Sequence, residues 1–360
     1  MKQAVESLAV HSRLLAKSLA AAKYLKRGDS YKWSQQIIAD LCPIEKQGDH
    51  NYIKRLTLDL IFCTIYHRIA MQEYFLYHFE SKTEPERHAY IGNMERLELC
   101  DQIGNDETRD ILNDKYKCYR SFQEFYGRDV IKLSGPKDKA VFDEFISKHK
   151  EFIVKPLDSG LGREVCRINC EKTNIDNWFQ KKVAAGKTVV VEQCVEQAPE
   201  LARFHPRSVN TIRVATFTNG SDTKILFTFF RTGRGTSVVD NGGAGGLLMS
   251  VDPISGKIQS DGYSESGEVY QQHPDTGVVF KGYQIPRWQE LIKIASMAAQ
   301  KFPQHNYISW DLALTNSGWI MIEANYKGEF IGPQITNGGI RKVFMEEFDE
   351  YRRRKTKEVR

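Results

Sequence analysis

The stretch Lys155-Pro156-Leu157-Asp158-Ser159-Gly160-Leu161-Gly162-Arg163 follows directly on the apolar run Phe152-Ile153-Val154, and its reading decides the fold. A short apolar run closed by proline predicts a strand, because the residue before proline is biased away from the helical region. Beyond it, Lys155 can face a polyphosphate. Gly160 and Gly162 permit close backbone approach, with main-chain N–H groups available to phosphate oxygens. The stretch is neither a P-loop nor a dinucleotide fingerprint. Read alone, it is as well explained by a surface turn, so its neighbours must decide.

Those neighbours alternate. Val130-Ile131-Lys132-Leu133 predicts a strand, 137–149 an amphipathic helix, 164–169 a strand, 173–184 a helix and 188–192 a strand. Further on, Ile212–Thr218 and Lys224–Phe230 are β-branched and aromatic runs separated by Asn219-Gly220, a hairpin signal. More strands are predicted near 244–251, 278–281 and 319–323, with helices over 287–301 and 338–352. Residues 1–125 differ, with apolar residues three or four apart predicting helices over 2–26, 32–42, 50–80, 84–100 and 115–126. The body is therefore α+β, preceded by a helical region.

Polar residues cluster where these strands end. Asp114-Lys115 opens a helix and offers a phosphate contact, although a charged helix start explains the pair equally well. Val189-Val190-Val191 leads to Glu192-Gln193-Cys194-Val195, whose backbone can read an adenine edge. Trp310-Asp311-Leu312-Ala313 and Ile320-Met321-Ile322-Glu323-Ala324-Asn325 predict paired strands. Their Asp311, Glu323 and Asn325 supply hard oxygen ligands of the kind magnesium takes jointly with phosphates. Arg213, with Asn210 before it, and Arg231 stand on successive strands, where guanidinium groups can stabilise a transferring phosphoryl group. Asp240-Asn241-Gly242-Gly243-Ala244-Gly245-Gly246 is a turn able to approach substrate, and His205 and His273 lie beside prolines in loops where they can orient one.

Composition excludes more than it assigns. Fifty-one Lys plus Arg against forty-six Asp plus Glu leave +5 over 360 residues, too dilute for a nucleic-acid surface. Seven cysteines without paired short spacings predict a reducing, cytoplasmic setting rather than a disulfide or zinc framework. The most apolar N-terminal segment, Leu56–Phe79, carries Asp59, His67, Arg68 and Glu73, so no transmembrane span is expected. A position peripheral to the inner membrane face stays open, through the N-terminal helices or the basic end.

As a set, these residues resemble the ATP-grasp superfamily, and more closely its sugar-transfer-associated group found among polysaccharide-biosynthesis proteins. The resemblance covers roughly 110–345. It implies ATP held between two α+β lobes with Mg2+. Lys115 resembles the family lysine on the first lobe, Lys155 the lysine after the second-lobe strand, Ser159, Gly160, Leu161, Gly162 and Arg163 the mobile phosphate loop, and Glu192 to Val195 the adenine-contacting connection. Asp311 and Glu323 are implied as magnesium ligands assisted by Asn325. Arg213, Arg231 and Lys155 are the implied catalytic set, with His205, Asn210, Asp240, Asn241, Gly245, Gly246 and His273 as substrate contacts. The implied division is 1–110 as a helical accessory or cap region, 111–196 and 197–348 as the two lobes, and 349–360 as a basic tail.

The expected reaction is ligation of a small-molecule carboxylate to an amine through an acylphosphate, on a sugar-linked or cell-surface precursor. An ATP-dependent kinase and a noncatalytic nucleotide-binding protein are the alternatives. A homo-oligomer or a biosynthetic complex is the expected assembly, with no nucleic-acid partner.

Overall fold

The computed structural model describes residues 7–157 and 165–358. They group into two units, one from Met1–Gln102, Tyr263–Val269 and Glu329–Arg360, the other from Ile103–Gly262 and Tyr270–Gly328.

In the first unit helices pack around Ala16, Ala20, Ile37, Leu60, Phe62, Tyr77 and Phe79. Sequence periodicity predicts one helix over 50–80, but the structure breaks it into His50–Tyr66 and Met71–Leu76, with Arg68 in the left-handed region at φ 56°. The buried Glu73 carboxylate holds the break, accepting the N–H groups of Ala70 at 2.6 Å and Asn93 at 3.0 Å. The C-terminal helices belong to the same unit. Gln334, on helix Ile331–Asn337, accepts the Ile91 N–H at 2.8 Å and donates to the Ile91 carbonyl at 3.0 Å. Helix Arg341–Glu358 runs past the 338–352 expected from the sequence, and Arg341 pairs with both oxygens of Glu95 at 2.5 and 2.6 Å. Among the described residues no helix is long and apolar enough to cross a membrane.

The strands form two sheets, the smaller of them wholly within the second unit. In the smaller, β1 (Val130–Leu133), β2 (Glu151–Pro156), β3 (Cys166–Asn169) and β4 (Val189–Gln193) lie in the order β1-β4-β2-β3. The valine run of β4 is apolar throughout because both its faces are covered. Val189 and Val191 meet Phe142, Phe145 and Phe179 from helices Lys139–Lys148 and Ile175–Ala184, while Val190 turns into the opposite core beside Val130.

The larger sheet has the order β11-β10-β5-β6-β7-β8-β9. Its strands are β5 (Thr211–Asn219), β6 (Asp222–Thr232), β7 (Leu247–Val251), β8 (Gly262–Ser264), β9 (Val269–Tyr270), β10 (Tyr307–Thr315) and β11 (Gly318–Asn325). Gly220 makes the β5–β6 turn at φ 66°, as the Asn219-Gly220 pair predicts. Helix Trp288–Gln300 sets Leu291, Ala295 and Ala298 in the core shared with the sheet. The segment 278–281 is not a strand, and its pairing is a single bridge between Gln272 and Val279.

Candidate functional site

Antiparallel pairing of β2 with β4 sets Ile153 opposite Glu192 and Lys155 opposite Val190. The register brings the Lys155 ammonium to 3.0 Å from the Glu192 carboxylate. From the other side Arg128 donates to Glu192 Oε2 through Nε at 3.0 Å and Nη2 at 2.7 Å. Arg128 also reaches the carbonyl of Met321 at 2.5 Å, beside the irregularity where β11 carries one residue more than β10. That residue, Ile322, lies outside the ladder, so its carbonyl and that of Met321 turn to the guanidinium instead. A buried carboxylate at the end of a valine run thus has two cations, as burial demands.

Burial works against the charged form of Glu192, but Lys155 and then Arg128 outweigh it and hold the carboxyl at about 2, from an ordinary 4.5. A carboxyl depressed on folding stabilises the native state fully above its unfolded value, and that contribution is lost as pH falls through the folded one. Stability is therefore expected to drop between about pH 5 and pH 2, and less steeply in Glu192→Gln, as urea midpoints across that range will read.

Beside this trio lies a cavity of about 60 Å³ lined by Lys115, Lys155, Glu192, Glu323, Cys118 and Tyr126, with Leu112, Val165, Ile322 and Ala324 completing its wall. Lys115 opens a helix capped by Asp114, whose Oδ1 accepts the N–H groups of Tyr116 and Lys117, each at 2.9 Å. The Lys115 N–H itself donates to the Leu157 carbonyl at 3.3 Å, joining the helix to the end of β2. Four residues expected at a nucleotide site therefore share one cavity. Ser159, Gly160, Leu161, Gly162 and Arg163 lie outside the described residues. Gln193 pairs with the Asp129 backbone, at 2.9 Å through its N–H and 3.2 Å through Oε1, whereas Cys194 and Val195 are half-buried without lining the cavity.

A second polar group forms on the larger sheet. Asp311 is opposite both Glu323 on β11 and Arg213 on β5, so one cross-strand row carries carboxylate, carboxylate and guanidinium. Arg213 donates to Asp311 from Nε at 2.6 Å and Nη2 at 2.7 Å, and Arg231 Nη2 reaches the same carboxylate at 2.9 Å. Burial alone would raise the Asp311 carboxyl, yet Arg213 and Arg231 bring it below 3.8. Asp240 shifts upward, because burial outweighs Arg231 and Thr211. It accepts the Thr211 N–H at 3.1 Å and hydroxyl at 2.5 Å.

The remaining expected contacts are tied into the scaffold. Asn210 is fully buried, its amide donating to Gln197 Oε1 and to the carbonyls of Leu201 and His205, its oxygen accepting from Ser208 and Thr232. His205 and His273 are buried with ring centroids 5.8 Å apart. His273 accepts the Asp275 N–H at Nδ1, 3.2 Å away, which leaves Nε2 as donor to the Gly233 carbonyl at 2.7 Å. Asn241 accepts the Gly243 N–H at 3.4 Å, and Gly245 adopts φ +90° while its carbonyl takes Arg234 Nε at 2.6 Å. At Gly246 a Cβ would stand 2.3 Å from the Asp240 carbonyl oxygen. Gly246→Ala should therefore displace the loop that presents Asp240 and lower stability by about 1–3 kcal/mol, read from denaturant midpoints.

Sequence reading gave Arg128 no role. The signal available was indirect: a glutamate ending Val189-Val190-Val191 needs a cation, and one lysine does not satisfy two buried oxygens. The residues present suit ATP, since two lysines line the cavity and, at the same strand end, Asn325 Nδ2 is buried with no hydrogen-bond partner among the described residues. For magnesium the fit is narrower. Among the described residues no three His, Cys, Asp or Glu side chains gather as a ligand set, and the oxygens of Asp311 are engaged by two arginines.

The chain has a distant likeness to several solved structures. D-alanine–D-alanine ligase from Bacillus anthracis is 12% identical and covers 72% of this chain and 77% of that one, with TM-score 0.43. Its complex with ATP gives 12%, 70%, 71% and 0.44, and the Coxiella burnetii D-alanine–D-alanine ligase 12%, 71%, 64% and 0.43. No curated protein matches. The sugar-transfer-associated ATP-grasp family matches over residues 98–349, most of the chain and every part of the site just described, and the protein belongs to that family.

Proposed function

We propose that this ATP-grasp ligase joins a small-molecule carboxylate to an amine on a sugar-linked or cell-surface precursor, releasing ADP and phosphate. The observation that carries the reading is the convergence of Lys115, Lys155, Glu192 and Glu323 on one cavity. Lys115 and Lys155 bind and neutralise phosphate oxygens of ATP. Glu192 orients the Lys155 ammonium, and Arg128 keeps Glu192 ionised so that Lys155 is held in one direction. The terminal phosphoryl group of bound ATP supplies the activation of the carboxylate. Arg213 and Arg231 offer donors to the developing negative charge, already oriented by Asp311, so little reorganisation is required as that charge appears.

Glu323 and Asn325 are the residues that would hold magnesium, which would neutralise phosphate charge there. The family's association with sugar transfer supports the choice of precursor.

Incubating the purified chain with ATP, magnesium and pooled carboxylates and amines, followed by untargeted mass detection, tests the assignment. A condensation product formed together with ADP and phosphate is expected. A stable phosphorylated acceptor and no condensation product would make the chain a kinase, and nucleotide binding without turnover would make it a noncatalytic binder.

A further inference from the structure

Helix Arg13–Lys26 sets Ala16 and Ala20 in the core of the helical unit, with Leu19 and Tyr24 packed against it, while its opposite side leaves Leu14 and Leu25 each 76% exposed. At about 3.6 residues per turn, Leu14, Ser18, Ala21 and Leu25 fall at i, i+4, i+7 and i+11 and form one strip, all of it exposed. The next helix, Asp29–Leu41, adds Trp33, 58% exposed. Leucines left in water while alanines fill the core make a poor solution for a helix that serves only its own unit.

The charge around the strip is as uneven. Between residues 13 and 33 stand Arg13, Lys17, Lys23, Lys26, Arg27 and Lys32 against the single acid Asp29, an excess of five that equals the formal charge of the whole chain. Of these, Arg13 is paired with Glu84 at 3.1 Å. A segment carrying exposed leucines, a tryptophan and nearly all the net positive charge has the two attractions of an interfacial helix: apolar side chains for the acyl boundary and cations for anionic headgroups. Lysine stems can lie along the apolar strip while their ammonium groups stay at headgroup level, and tryptophan suits the same boundary.

We infer that residues 13–33 form a docking surface for an anionic phospholipid membrane, on which the helix lies flat with Leu14, Leu25 and Trp33 facing the bilayer. The occupant is a lipid surface rather than a protein partner because the segment sets six cations against one acid and the strip is small-residued between its two leucines, Ser18 and Ala21 offering no knob to a facing helix. The surface would hold the ligase beside membrane-borne precursors, a consequence that rests on the proposed function. The docking itself does not.

Co-sedimentation of the full chain with vesicles tests it. The protein should pellet with vesicles containing phosphatidylglycerol, stay in the supernatant with phosphatidylcholine alone, and be released by high salt. Leu14→Ser/Leu25→Ser and Lys17→Gln/Lys26→Gln should each weaken binding by about tenfold or more, with circular dichroism and ATP binding unchanged. Equal partition into both vesicle types, no partition into either, or leucine variants that pellet like the wild type would overturn the inference. So would a lipid-free shift to a smaller assembly on size exclusion in the leucine variant, which would give the strip to a second copy of the chain. None of these outcomes depends on which reaction the chain performs.

Discussion

Replacing Arg213 by methionine is expected to destabilise the fold by about 3–5 kcal/mol and to reduce turnover to background. The magnitude follows from what stays behind. Asp311 is 2% exposed, and Arg213 supplies two guanidinium contacts to it, at 2.6 and 2.7 Å. With those gone, Arg231 at 2.9 Å faces a buried carboxylate, and Arg231 is also committed to the Thr211 hydroxyl at 2.8 and 3.0 Å. The second change separates folding from chemistry. Asp311→Asn in the Arg213→Met background removes the stranded charge, so guanidinium midpoints should recover most of the loss while ADP release stays at background. A single variant as stable as the wild type would show that the pair is not a buried ion pair in solution. A double variant that turns over would remove Arg213 from the reaction.

Lys155→Met is expected to act in the opposite proportion, costing about 1 kcal/mol of stability but lowering kcat/KM by about 10²–10³. Glu192 keeps both bonds from Arg128, at 2.7 and 3.0 Å, so its charge remains compensated and the β4 end stays in place. The ammonium facing the cavity is lost, and with it the phosphate contact. Calorimetric titration with ATP should show weaker binding, with the thermal midpoint lowered by only about 2–4 °C. Lys155→Met that binds and turns over ATP normally would falsify the placement of the phosphates beside Lys155. The comparison with Arg128→Met is informative, because that change leaves Glu192 with Lys155 alone and also frees the carbonyls of Met321 and Ile322, and so should unfold far more than it inactivates.

The sequence reading was sound where local signals carried it. The β5–β6 hairpin declares itself through β-branched runs around Asn219-Gly220, and the β10–β11 pair through Asn316-Ser317-Gly318 between apolar runs, which already set Asp311 near Glu323. What escaped was whatever depended on distant partners. The break at Arg68 is held by a Glu73 carboxylate that also accepts from Asn93, and neither contact is written in a helical period. Arg128 follows a turn at Gly127 and finds its partners on β4 and β11, 64 and 193 residues away. The 278–281 segment has the residues of a strand but no continuous neighbour to pair with. Asn210 looked like a site residue because it stands beside Arg213, yet five hydrogen-bond partners consume it inside the scaffold.

Strand β4 offers something further. Interior in its sheet, apolar on both faces and ending in a doubly paired carboxylate, it can open to solvent only when the whole second unit unfolds. The amides of residues 189–193 should therefore exchange with deuterium only through global unfolding, and their protection should report the unit's total free energy. They give any kinetic study of this enzyme an internal clock against which faster openings elsewhere can be timed.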